Sequence, residues 1–163
     1  MRLIYSLLLC SLIGISYSQN VLESLRWGSQ LQNVELFYSD SGEIKDKIRS
    51  ASGVWSQGTF DYPGYYISAI SYVKSGRKFR AYVANDSHIQ EYINTGSGWT
   101  LGNFYKVGEI ADASYYFDTL GTLHIIVYLI NSTGDLYQYN FDQSKVGLPG
   151  KGWDAGTYLY TLP

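Results

Sequence analysis

In Lys78-Phe79-Arg80-Ala81-Tyr82-Val83, alternation places Phe79, Ala81 and Val83 on one face of a strand and Arg80 and Tyr82 on the other. Asn85-Asp86-Ser87 has the chemistry of a turn. His88-Ile89-Gln90-Glu91-Tyr92 reads as the return strand, and Gly98-Trp99-Thr100-Leu101-Gly102 follows it. From Gln19 onward no stretch sustains a helical period, so the pattern predicts an all-β chain.

The same pattern occurs three times. An opening strand ends on an aromatic at Trp27, Tyr72 and Tyr116, in steps of about 45 residues. The second strands are Val34–Tyr38, Phe79–Val83 and Ile125–Leu129, and the third strands begin at Glu43, His88 and Asp135. Each copy closes on Trp-x-x-Gly: Trp55 to Gly58, Trp99 to Gly102, and Trp153 to Gly156. The last interval is about ten residues longer, because a Gly/Pro-containing insertion occupies Asp142–Lys151. Four short strands at this period are the signature of a β-propeller blade. The expected fold is three four-stranded antiparallel blades, at approximately 19–62, 63–107 and 108–163. The aromatics Trp27, Tyr72 and Tyr116 are expected to be buried between strands.

Arg2 precedes a largely apolar run, Leu3–Ile15, which ends in Ser16-Tyr17-Ser18. This reads as a secretory signal peptide over residues 1–18, with an apolar run too short for a comfortable membrane span. The only cysteine, Cys10, lies inside that segment. A secreted chain without disulfides is therefore expected, stabilised by packing alone. Asn85-Asp86-Ser87 and Asn131-Ser132-Thr133 fit the N-glycosylation acceptor pattern.

Charge narrows the partners. Without Arg2 there are eleven basic and fourteen acidic side chains. Neither a nucleic-acid surface nor membrane insertion is expected from that balance. Two histidines, His88 and His124, and no cysteine in the mature chain leave few candidates for metal or thiol chemistry, and no metal or other cofactor is expected. Asp112 and Asp118 read as turn residues. Three blades do not close a ring, and blades bury their apolar faces against neighbours. A homodimer completing a six-bladed ring is expected, with a truncated chain as the alternative.

A sugar site needs donors, an acceptor and an aromatic platform. Arg80 offers a planar fork of donors and Glu91 a charged acceptor, on adjacent strands around one turn. Trp153, in the following repeat, is placed to stack across the cleft between blades. The other reading is a surface cross-strand Arg–Glu pair with Trp153 in the core.

Phe79-Arg80-Ala81-Tyr82, Ile89-Gln90-Glu91-Tyr92 and Gly98-Trp99-Thr100-Leu101-Gly102, with the opener Ala69-Ile70-Ser71-Tyr72, resemble blades of the fungal fucose-specific lectins. These are the Aleuria-type six-bladed propellers, and the resemblance reaches residues 20–160. It implies fucose binding between blades, with Arg80 and Glu91 as the polar pair, Trp153 as the stacking aromatic and Phe141 against the sugar's methyl group. In the first repeat Glu35 and Asp46 take the places of the pair, and in the third Ile126 and Gln138 do. A carboxylate has no donors to replace the guanidinium's. The clefts pairing Glu35 and Asp46 with Trp99, and Ile126 and Gln138 with Trp55 of the partner subunit, are expected to be degenerate. Glu35 and Asp46 could hold a calcium ion or be solvated, and the solvated reading is the expected one.

The expected function is that of a secreted lectin for fucose or fucosylated glycans. The alternative is a secreted propeller interaction or effector module that has lost sugar binding. A glycosidase would need paired carboxylates at a defined separation, and the chain is not expected to be an enzyme.

Overall fold

The computed structural model describes residues 20–28 and 32–161, so the signal peptide expected at 1–18 lies outside the described residues. Among the described residues twelve antiparallel strands form three four-stranded sheets. The first sheet holds β1 (Asn20–Trp27), β2 (Asn33–Asp40), β3 (Glu43–Arg49) and β4 (Trp55–Pro63). The second holds β5 (Tyr66–Val73), β6 (Arg77–Ala84), β7 (Ile89–Asn94) and β8 (Trp99–Lys106). The third holds β9 (Glu109–Phe117), β10 (Leu123–Ile130), β11 (Asp135–Asp142) and β12 (Thr157–Thr161). In each sheet every strand pairs with its neighbour in sequence. A short 3-10 turn at Gln143–Lys145 begins the insertion. Among the described residues no helix is long and apolar enough to cross a membrane.

The hairpin turns explain part of this order. Ser41 and Gly42 both adopt positive φ, 55° and 84°, as a two-residue turn between β2 and β3 requires. Asn85 and Asn131 build the corresponding later turns with their side chains. Asn85 Oδ1 accepts from Ser87 N and His88 N, and Asn131 Oδ1 from Thr133 N and Asp135 N.

The chain divides into two compact units, Met1–Tyr65 and Tyr66–Pro163. The first contains the first sheet, on one face of which Phe37 and Phe60 meet edge to face at 5.2 Å. The second unit contains the other two sheets, packed on a shared core. Ile70, Tyr72, Tyr82, Ile89 and Phe104 meet Leu123, Ile125, Val127, Leu129, Phe141 and Trp153 there.

Register aligns the three repeats. Phe37 stands opposite Asp46, Tyr82 opposite Glu91, and Tyr128 opposite Gln138. The tryptophans follow in the same column: Trp55 pairs with Arg49, Trp99 with Asn94, and Trp153 bridges Phe141. Of the opening aromatics only Tyr72 is buried as expected, at 6% exposure. Trp27 is half-buried, and Tyr116 is 51% exposed. Tyr116 lies on the face of the third sheet opposite the shared core, so nothing from the second sheet covers it. It stacks on His124 at 4.8 Å instead. Asp112, expected in a turn, lies within β9 opposite Tyr128, whereas Asp118 does cap the β9–β10 turn.

Candidate functional site

A bulge in the second sheet prepares the site. Gln90 pairs with Tyr105 and Tyr92 with Leu101, so Gly102, Asn103 and Phe104 stand opposite Glu91 alone. The bulge frees two backbone N–H groups, and both donate to Glu91 Oε2, Asn103 N at 2.9 Å and Phe104 N at 3.2 Å. Gly102 leaves room for the carboxylate, because a Cβ there would overlap it. The glycine of Trp-x-x-G is thus a seat for the acid on the neighbouring strand.

Glu91 Oε1 takes the remaining load. Arg80 Nη1 donates to it at 2.6 Å and the Tyr82 hydroxyl at 3.1 Å. Arg80 Nε donates to the Tyr72 hydroxyl at 3.1 Å, while Nη2 hydrogen-bonds no described residue. Burial disfavours the guanidinium's charge, but Glu91 and the Tyr82 and Tyr72 hydroxyls outweigh it and hold its pKa above the ordinary value. Burial, and the Glu91 carboxylate beside it, push the Tyr82 hydroxyl's pKa well up.

The third sheet supplies the aromatic wall. Arg80 Cζ lies 4.4 Å from the centroid of the Phe141 ring, a cation–π arrangement. Trp153 packs on Phe141 at 5.3 Å and on Phe104 at 4.6 Å, and meets Tyr82 edge to face at 6.1 Å. Its indole Nε1 is buried with no acceptor among the described residues. The structure therefore brings together all four residues singled out in the sequence: Arg80, Glu91, Phe141 and Trp153. They form no open surface pair, since their exposures are 8%, 0%, 3% and 8%. Tyr72 and Tyr82 were not counted among the site residues, although their place beside Arg80 and Glu91 follows from strand alternation.

In the first sheet the same seat holds a different group. Lys45 pairs with Asp61 and Lys47 with Gln57, giving the same bulge opposite Asp46. Phe60 N donates to Asp46 Oδ1 at 2.8 Å, and a Cβ on Gly58 would overlap the Asp46 carboxylate. Glu35 stands where Arg80 stands in the second sheet. Contrary to the expectation of solvated carboxylates, Glu35 is 3% exposed and Asp46 fully buried. The cause is that both share the face of the sheet that carries Phe37 and Phe60. Desolvation, together with the hydrogen bond to Asp46 and its charge, pushes the Glu35 pKa up to about 9. Burial raises that of Asp46 as well. Glu35 Oε1 and Asp46 Oδ2 find no hydrogen-bond donor among the described residues, and a pKa of about 9 keeps the proton on Glu35 at neutral pH, so the two buried carboxyls do not carry two charges together.

The third sheet has neither arrangement. Ile126 and Gln138 occupy the positions of the pair, Gln138 Nε2 donates to Asn140 Oδ1 at 2.8 Å, and a Cβ on Gly156 would meet the Tyr139 ring. Among the described residues no cluster of three or more His, Cys, Asp or Glu side chains could hold a metal.

Sheets of this order, bulge and repeat define the blades of a β-propeller, and known structures share the fold. AofleA from Arthrobotrys oligospora matches with a TM-score of 0.70 and 15% identity, over 95% of this chain and 45% of that one. A fucose lectin from Kordia zhangzhouensis, solved with methyl-fucoside, matches with a TM-score of 0.65 and 20% identity. That match covers 86% of this chain and all of the other. The Aleuria aurantia lectin, solved with Fucα1-6GlcNAc, matches with a TM-score of 0.62 and 22% identity, over 86% and 47% of the two chains. This chain thus resembles the fungal fucose lectins in fold and spans about half the length of AofleA and of the Aleuria lectin. No family model matches the chain, and no curated protein matches it in sequence.

Proposed function

We propose that the protein is a secreted lectin that binds fucose or fucosylated glycans between its second and third blades. The observation that carries this reading is the cluster in which Phe141 packs on both Arg80 and Trp153. An arginine held by Glu91 and Tyr72 keeps Nη2 free, and the neighbouring indole N–H is buried without an acceptor. An unmet buried donor costs roughly 1–3 kcal/mol, which a sugar hydroxyl would offset. Phe141 and Trp153 offer apolar faces for the C–H side of a sugar ring. Since the four residues are nearly closed over, sugar binding is taken to require rotation of Trp153 away from Phe141.

The Kordia and Aleuria proteins, which share the fold, are named for binding fucose. Their likeness supports fucose as the ligand here and binding, rather than catalysis, as the activity. The effector alternative draws its support only from the first and third sheets, where the pair is replaced. Because the chain spans about half of the longer lectins, two copies are proposed to make a six-bladed ring.

Isothermal calorimetry with methyl α-L-fucoside tests the reading. Saturable binding is expected, and should be lost in Trp153→Ala while circular dichroism stays that of a β-protein. Absence of binding by the unmutated protein would overturn it.

A further inference from the structure

Four of the twelve basic side chains fall within seven residues, at Lys74, Arg77, Lys78 and Arg80. The β5–β6 hairpin sorts them. Lys78 pairs in register with Tyr72, and alternation places Lys78 on the Arg80 face and Arg77 on the opposite one. Lys74 reaches the same side from the turn. Its ammonium donates to Gly121 O at 2.8 Å and Gln143 Oε1 at 2.7 Å, both on the third sheet's side, and lies 6.0 Å from the Phe117 ring. Phe117 and Tyr115 pack against Tyr72, which accepts from Arg80. Contact therefore runs without a break from the Arg80 guanidinium through Tyr72 to Lys74.

The charge on this strip is not balanced. Glu91 is committed to Arg80, Asp118 to its own turn and His124, and Asp142 to Ser144 and Lys145. Both oxygens that Lys74 meets are neutral, and among the described residues no carboxylate pairs with Lys74 or Lys78. Beside the cations, Tyr115 and Phe117 are 40% and 38% exposed and offer a ring-sized apolar surface. An uncompensated Lys74 ammonium over the half-exposed Phe117 ring, with Lys78 on the same strand face as Arg80 and opposite Tyr72, suits a sugar carrying an anionic substituent.

We propose that Lys74 and Lys78, with Tyr115 and Phe117, form a second subsite that takes an anionic group, sulfate or carboxylate, on the sugar attached to the bound fucose. This rests on the fucose reading above. The subsite acts on specificity: the first cleft would capture fucose, and the lysine strip would favour acidic fucosylated glycans over neutral ones.

The test is calorimetry on the mature protein with methyl α-L-fucoside and with one fucosylated trisaccharide in three forms: neutral, sulfated and sialylated. At low salt the acidic forms should bind about tenfold tighter than the neutral one, and the gain should shrink toward unity near 1 M salt, where the Debye length falls to about 3 Å. A gain with the sulfated form alone, or the sialylated form alone, identifies which anion the strip takes, and either supports the subsite. Lys78→Glu should invert the ratio of acidic to neutral affinity, and Lys74→Gln should reduce it. Equal affinity for all three trisaccharides, or a gain unchanged in both variants, would overturn the subsite while leaving fucose binding intact. Failure of methyl fucoside itself to bind would overturn the fucose reading and the subsite with it.

Discussion

The carboxylate of Glu91 occupies the space that a side chain at Gly102 would fill. Gly102→Ala should therefore force the acid off its two backbone donors and loosen the partner of Arg80, costing about 2–4 kcal/mol. Gly147, whose Cβ position is open, provides the control, and Gly147→Ala should change stability by less than about 0.5 kcal/mol. Urea melts of the two variants compare them directly. A Gly102→Ala protein as stable as the unmutated one would mean the seat is not needed.

Glu35 gives the first sheet a pH dependence. In the unfolded chain its carboxyl has the ordinary value near 4.5, and in the fold burial and Asp46 push it up to about 9. Its contribution to stability is thus fully present below about pH 4.5 and is lost as the pH rises toward 9, because the unfolded chain releases the proton first. Glu35→Gln removes that dependence and should melt higher than the unmutated protein at pH 8, with little difference at pH 4. A pH-independent difference between the two, measured by calorimetric melts, would count against proton sharing with Asp46.

Removing Arg80 alone should harm folding as well as binding. It leaves Glu91 buried with Tyr82 and two N–H groups but no cation, and breaking a buried pair costs roughly 3–5 kcal/mol. Arg80→Met combined with Glu91→Gln should be distinctly more stable than Arg80→Met by itself, yet bind fucoside no better. A double-mutant cycle in denaturant reads the coupling. Equal stabilities would show that the pair is not energetically linked.

Trp153→Phe keeps most of the apolar wall and deletes only the N–H. Affinity for methyl fucoside should fall about five- to thirtyfold if that donor meets a sugar hydroxyl, with a smaller change in stability. Calorimetry together with thermal melts separates the two effects.

A six-bladed ring from two chains should appear in light scattering as a stable dimer at micromolar concentration. A persistent monomer would count against the ring.

Strand alternation, the Asn and Gly turns and the Trp-x-x-G columns made the blades legible from the residues alone, since each is a local signal repeated three times. The meeting of Arg80 and Glu91 was legible from the hairpin that joins their strands, and the place of Trp153 from the following repeat, whereas Phe141 came only from the resemblance to the fungal fucose lectins. Burial was harder to read. The solvated reading of Glu35 and Asp46 failed because charge argues for the surface, while the shared face with Phe37 and Phe60 decides otherwise. Gly58, aligned with Gly102, was the available sign that Asp46 has a seat of its own. Tyr116 failed for a different reason, since its column is correct but its face lies away from the core that covers Tyr72. The bulges themselves leave no mark in a single strand, because they appear only when two strands are laid side by side.

The bulge and its glycine occur in the first sheet as well as the second, although only the second keeps the arginine. What has diverged between these two copies is the guest, and the socket that holds it has stayed. A repeated unit of this kind can differ in its polar pair on one strand while the seat on the next strand, and the fold that rests on it, stay the same. The first sheet thus keeps the seat with Asp46 in it, and Glu35→Arg would set a guanidinium beside that carboxylate as Arg80 stands beside Glu91.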